Sequence, residues 1–209
     1  MFKVGYIDEE EPQRNSFYQF LKDDFEIKLF DIEEDTEAEN LVNDIFNSAL
    51  DILVLDFRLD ENGLVNFNAD SLIELIQERN LYYPLVILTS HELDALDHIK
   101  NANLINGKAE MLGEKVEVFK QKLRKIAGDY KIELTNNEEE LSLLEKKRES
   151  AGLDSAEEDR YVYLNNYFDK ISNSKGHLSR TFYSHDTNAK LDELIKKTTE
   201  MLNKIPNKE

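Results

Sequence analysis

Apolar residues follow two rhythms along this chain. Three short runs are apolar almost throughout: Val4-Gly5-Tyr6-Ile7, Ile52-Leu53-Val54-Leu55 and Leu85-Val86-Ile87-Leu88. Such runs, separated by helix-length stretches, read as buried strands of a parallel sheet. Phe25 to Phe30 alternates instead, as a half-exposed strand does. Between the strands, apolar positions recur at helical spacing: Phe17, Phe20 and Leu21; Leu41, Ile45 and Phe46; Leu72, Ile73, Leu75 and Ile76; Leu93, Leu96 and Ile99; Val116, Phe119, Leu123 and Ile126. These predict core-facing helices, the first opened by Glu11-Pro12, where proline is tolerated. Strand and helix in alternation predict an α/β domain over residues 1–128, built on a doubly wound parallel sheet.

Beyond it the pattern changes. Gly128 reads as a helix stop, and Lys131-Ile132-Glu133-Leu134-Thr135 as an extended connector, so 129–136 is expected to be a linker. Asn136-Asn137 before Glu138-Glu139-Glu140 has the signature of a helix start. That helix carries Leu141, Leu143 and Leu144 as far as about Ser150, where Ala151-Gly152-Leu153 breaks it. Asp154 or Ser155 then caps a helix with Tyr161, Leu164, Tyr167, Phe168 and Ile171, giving an antiparallel helical hairpin. Residues 172–188 read as a loop, and its His177, Arg180, Tyr183 and His185 as ordinary surface residues. A final amphipathic helix is expected over 189–205. Residues 137–209 thus form a small α-helical segment, expected to pack on the first domain, a second copy or a partner.

Charge narrows the functions. The net charge is −18, and residues 1–128 hold 27 acids against 13 Lys and Arg. A phosphate backbone would repel such a chain, so no nucleic-acid partner is expected. The chain has no cysteine, which excludes disulfides and thiolate metal sites and fits the cytoplasm. No run is long and apolar enough for a membrane span, and no membrane partner is expected. P-loop, GxGxxG, HExxH and GxSxG motifs are missing, and the four histidines are scattered.

The candidate chemistry lies where the apolar runs end. In an open parallel sheet, ligands meet the carboxyl ends of the strands. The first run ends in Asp8 and Glu9, the third-strand run in Asp56, and the fourth in Thr89. One rim would therefore gather three carboxylates and a hydroxyl. Crowded carboxylates repel one another unless a cation joins them, and hard oxygen donors suit Mg²⁺. That is chemistry for moving a phosphoryl group.

Over about the first 125 residues the arrangement resembles the receiver domain of bacterial response regulators. The resemblance implies that Asp56 is the phosphoacceptor and that Asp8, Glu9, Asp56 and the backbone carbonyl of Arg58 hold Mg²⁺. It implies that Thr89 is the switch hydroxyl, and that Lys108, in Asn106-Gly107-Lys108, pairs with the phosphoryl group at the end of the fifth strand. Its partners would be a histidine kinase or phosphotransfer protein, and a protein effector or second copy engaged by the C-terminal helices. It would be no enzyme beyond self-phosphorylation and autodephosphorylation. The sequence departs from the family in its fifth strand, which contains Asn and Gly, and in the absence of a proline after Lys108. Ile105 stands where an aromatic residue is common, and the segment from Phe57 to Ala69 is longer than usual. A receiver-like scaffold working without phosphorylation is the alternative. An enzymatic activity in the tail finds no supporting constellation there.

Overall fold

The structure is a computed structural model, and it describes residues 1–111, 113–171, 194 and 196–198. Contacts divide the chain into two units, residues 1–135 and 136–209. The first contains β1 (Lys3–Ile7), α1 (Glu11–Leu21), β2 (Glu26–Phe30), α2 (Ala38–Asn47), β3 (Ile52–Leu55), α3 (Ala69–Arg79), β4 (Leu85–Thr89), α4 (Glu92–His98) and β5 (Ile105–Gly107). It ends within α5 (Lys115–Ser150), and α6 (Ser155–Ile171) lies in the second unit. Every strand pairing is parallel, in the order β2-β1-β3-β4-β5. This is the doubly wound sheet that the alternation predicts.

The pleat explains why the central strands look apolar throughout. Successive side chains point to opposite faces, and here each face has its own core. Ile7, Leu53, Leu55, Leu85 and Ile87 pack with Leu41, Val42 and Ile45 of α2, Leu72, Ile73 and Ile76 of α3, and Ala95 of α4. Val4, Tyr6, Ile52, Val54, Val86 and Leu88 turn the other way, onto Phe17 and Leu21 of α1 and Phe119, Leu123 and Ala127 of α5. Gly5 is small because a Cβ there would collide with the Leu50 and Leu53 side chains. β2, at the edge, buries fewer positions and shows the alternation.

Several expected core positions are not core. Phe20 on α1 is exposed, as are Leu93 and Leu96 on α4, with Leu93 at 83%. On α4 only Ala95 faces inward. Helical spacing locates a face, but seven residues leave room for only one anchor.

The expected linker is helix. α5 runs from Lys115 to Ser150 without interruption, so Gly128 is no stop and Lys131–Thr135 is not extended. Asn137, read as a cap, is instead a buried helix-interior residue whose Oδ1 accepts from Arg160 Nη2 at 3.3 Å. The stop comes at Gly152, with φ +78°, where the amides of Ala151 and Gly152 both bond the Lys147 carbonyl.

In the second unit, Leu141, Tyr161 and Leu164 form a small cluster with Leu144, Leu153 and Phe168. Arg160 pairs with Glu140 at 2.6 Å, and Lys147 with Glu157. These pairs align the end of α5 and α6 antiparallel, as the hairpin reading expects. Asp154 caps α6: its Oδ1 accepts from the Ala156 and Glu157 amides, while Glu157 accepts from the Asp154 amide. Leu143 and Tyr163 are exposed. The expected loop 172–188 and the expected helix 189–205 lie outside the residues described as elements. Among the described residues no helix is long and apolar enough to cross a membrane.

Candidate functional site

The parallel register sets the strand ends level. Ile7 lies beside Leu55, Leu55 beside Ile87, and Thr89 beside Gly107. The residues that follow therefore meet at one rim, and the Asp56 amide continues the ladder by donating to the Ile7 carbonyl at 2.8 Å. Asp8, Glu9, Asp56 and Thr89 are all buried there.

Lys108 begins a 3₁₀ turn just after β5 and returns over the rim. Its Nζ lies 2.8 Å from Asp8 Oδ2 and 2.9 Å from Asp56 Oδ1. The Asp56 contact is an ion pair without hydrogen-bond alignment. Burial would push the ammonium down, but the two carboxylates outweigh it and Lys108 stays above the usual lysine range. For Asp56 burial wins: its carboxyl is raised despite Lys108 and despite the Arg58 amide, which donates to Oδ2 at 2.9 Å.

Asp8 is the most heavily bonded acid of the group. Its Oδ2 accepts from the Tyr6 hydroxyl at 2.5 Å and faces Lys108, while Oδ1 accepts from the Glu10 amide at 3.0 Å. Glu9 is the opposite case, because its Oε2 is buried with no hydrogen-bond partner. Burial lifts Glu9 to about 7, with Asp56 and Asp8 adding to the shift.

The sequence pattern alone does not mark Tyr6 as functional. It stacks on Phe17 at 3.9 Å, and its hydroxyl points at Asp8. The signal was present: residues i and i+2 of a strand share a face, so a tyrosine two before an acid puts a phenol beside that carboxylate.

The flanks of the rim are also fixed. The Thr89 hydroxyl accepts from the His91 amide at 3.0 Å. Arg58, on the long segment after Asp56, donates through Nε and Nη2 to Asp94 Oδ2 of α4, at 3.1 and 2.8 Å. Glu61 lies 3.6 Å from the same guanidinium and 3.8 Å from His91 Nε2. The unusual fifth strand has local causes. Asn106 donates to the Leu104 carbonyl and accepts from Lys122 of α5, and a Cβ at Gly107 would collide with the Glu92 carboxylate.

The donors suit a hard cation chemically, being all oxygen with one orphaned carboxylate atom. Among the described residues, however, no three His, Asp or Glu side chains converge closely enough to hold an ion as they stand. Lys108 occupies the space between Asp8 and Asp56. Asp8 Oδ1 and Asp56 Oδ2, each with one backbone amide, keep a lone pair for a further partner.

No protein-family model matches the sequence, and no curated protein matches it significantly. Among solved structures the chain is similar to a two-component response regulator of the LuxR family from Aurantimonas sp. SI85-9A1. The identity is 15% and the TM-score 0.45, over 61% of this chain and 86% of that one. It is also similar to a fusion carrying the trimeric coiled coil of yeast Spc42, amino acids 181-211. There the identity is 18% and the TM-score 0.47, over 69% of this chain and 95% of that one. The strand order, the two cores divided by the pleat and the level strand ends make residues 1–135 a doubly wound, flavodoxin-like α/β domain.

Proposed function

We propose that this chain is a phosphoacceptor of a two-component phosphorelay, taking a phosphoryl group on Asp56 and signalling through protein contacts. One observation carries this reading: the buried Asp56 carboxylate lies within ion-pair reach of Lys108, which also holds Asp8. The donor would be a phosphohistidine on a histidine kinase or phosphotransfer protein. An Asp56 oxygen attacks phosphorus, the P–N bond breaks, and its electron pair leaves on the imidazole, which takes up a proton. Asp8, Glu9, Asp56 and the Arg58 carbonyl would hold Mg²⁺, which when bound neutralises charge on the phosphoryl oxygens. Lys108 then exchanges a carboxylate for a phosphoryl oxygen, and the Thr89 hydroxyl turns from the His91 amide to donate to another. The setting is the cytoplasm, with no part for nucleic acid or membrane. Residues 136–209 would hold the output surface for an effector or a second copy, with Leu143 and Tyr163 exposed on it.

The test is intact mass after incubation with Mg²⁺ and a small phosphodonor. Wild type gains one phosphoryl group and Asp56→Asn gains none; equal labelling of the two removes Asp56 as acceptor. Mg²⁺ should raise the melting temperature by mass action, and Asp8→Ala should lose that response. A second reading, a scaffold working without phosphorylation, is favoured by the three donors already on Asp8, which leave its carboxylate a single lone pair. An unlabelled, Mg²⁺-insensitive wild type would select it.

A further inference from the structure

We infer that residues 132–136 are a hinge built into α5, a turn that is helical because it is gripped on both sides and that opens into a flexible tether between the two units. The inference is independent of whether Asp56 takes a phosphoryl group.

The grip before the turn is the amino edge of the sheet, at the opposite end from the rim. Lys131 Nζ lies 2.6 Å from Oδ1 of Asp51, the residue that leads into β3, and Asp51 Oδ2 accepts from the Lys3 amide at 2.7 Å. The same ammonium stands 5.2 Å over the Phe2 ring. One residue earlier, the Tyr130 hydroxyl accepts from Nδ2 of the buried Asn80 at 2.9 Å. The grip after the turn is the buried Asn137, whose Oδ1 accepts from Arg160 of α6 at 3.3 Å.

Between these grips no side chain is buried. Leu134 is half-buried and the other four residues are exposed, Ile132 at 61%. Most helical stability in proteins comes from packing, and this turn has little of it. Its composition does not make up the difference. Ile132 and Thr135 are β-branched and lose side-chain freedom in a helix, while the Asn136 side chain competes for backbone hydrogen bonds. The boundary between the two units falls inside the same turn, between residues 135 and 136. Opening it therefore costs one turn of backbone bonds and leaves both cores whole. Closed, α5 is one helix through both units; open, a short free chain joins them.

Residue-resolved hydrogen exchange of the full chain tests the hinge. Amides of residues 133–138 should exchange at least about tenfold faster than those of residues 121–126 and 141–147. A profile along α5 without that local minimum of protection overturns the inference. Two variants then move the minimum in opposite directions. Thr135→Ala combined with Asn136→Ala replaces two exposed poor helix formers, and should slow exchange at 133–138 about tenfold. Asp51→Asn keeps an acceptor for the Lys3 amide but loses the ion pair with Lys131, and should speed exchange at 133–138 at least about twofold. Residues 121–126 should hold their protection in both, which separates the hinge from a general change in stability. Failure of either folded variant to shift 133–138 in its stated direction also overturns the inference. Should Asp51→Asn not fold, the wild-type profile and the alanine variant decide.

Discussion

Lys108 reaches Asp56 across an intervening strand. β4 separates β5 from β3, yet the ammonium at the end of β5 comes within 2.9 Å of the carboxylate at the end of β3. The route runs past the end of β4, and the same ammonium holds Asp8. One partly buried cation thus serves two buried acids.

Removing that cation should be costly. In Lys108→Met both carboxylates stay buried without their partner, a loss of about 3–5 kcal/mol by the usual scale for such pairs. Adding Asp56→Asn removes one stranded charge and should recover part of the loss. Urea unfolding of the two single variants and the double variant checks this. Additive losses would mean that Lys108 and Asp56 are not coupled.

Glu9 should make stability depend on pH in metal-free buffer. Its folded value, about 7, stands above the 4.5 of an ordinary glutamate because of burial. For a group raised in this way the stabilising contribution is complete below 4.5 and is lost as pH rises through about 7. Wild type should therefore lose stability across that window relative to Glu9→Gln. Parallel unfolding midpoints for the two proteins would show that Glu9 is solvated.

Two glycines should respond oppositely to alanine. Gly128 lies inside α5, and an added Cβ would meet Phe2 at an ordinary 3.7 Å. Gly128→Ala should stabilise by about 0.5–1 kcal/mol. Gly152 has φ +78°, so Gly152→Ala should destabilise by about 1 kcal/mol. Thermal melts of both variants suffice. A destabilising Gly128→Ala would mean that the helix stops there after all.

Asp154 should matter locally. Its carboxylate satisfies two amides at the start of α6, and Asp154→Ala should cost about 1 kcal/mol. Faster hydrogen exchange at Ala156 and Glu157 is the readout, and unchanged protection would deny the cap.

The sheet was legible because burial on both faces writes a strand as a plain apolar run, and the rim acids because each closes such a run. The connector is helical against its pattern for a physical reason. Lys131 to Thr135 alternates as a strand does, but a helix already nucleated extends at little cost through residues of modest propensity. Ile132 is simply exposed on that helix. Leu93 and Leu96 misled in the reverse sense, since spacing records a stripe without recording what covers it. Lys108 could be placed only through the resemblance, because its contacts with Asp8 and Asp56 depend on the fold and not on any neighbouring residue. The Arg58–Asp94 pair is hidden in the same way, joining a loop to a helix through groups that read as surface charges.

The partial burial of Lys108 also separates two kinds of electrostatics by their response to salt. The surface of the first unit carries a large acidic excess whose self-repulsion reaches over about 10 Å at moderate ionic strength and shrinks as salt is added. The Lys108 pairs are shielded from ions by the rim itself and are screened much less. Dissolved salt therefore relieves the repulsion while leaving the attraction at the rim nearly intact. A chain of this charge should be most firmly folded in brine rather than in dilute buffer, with its acceptor site geometry indifferent to the change.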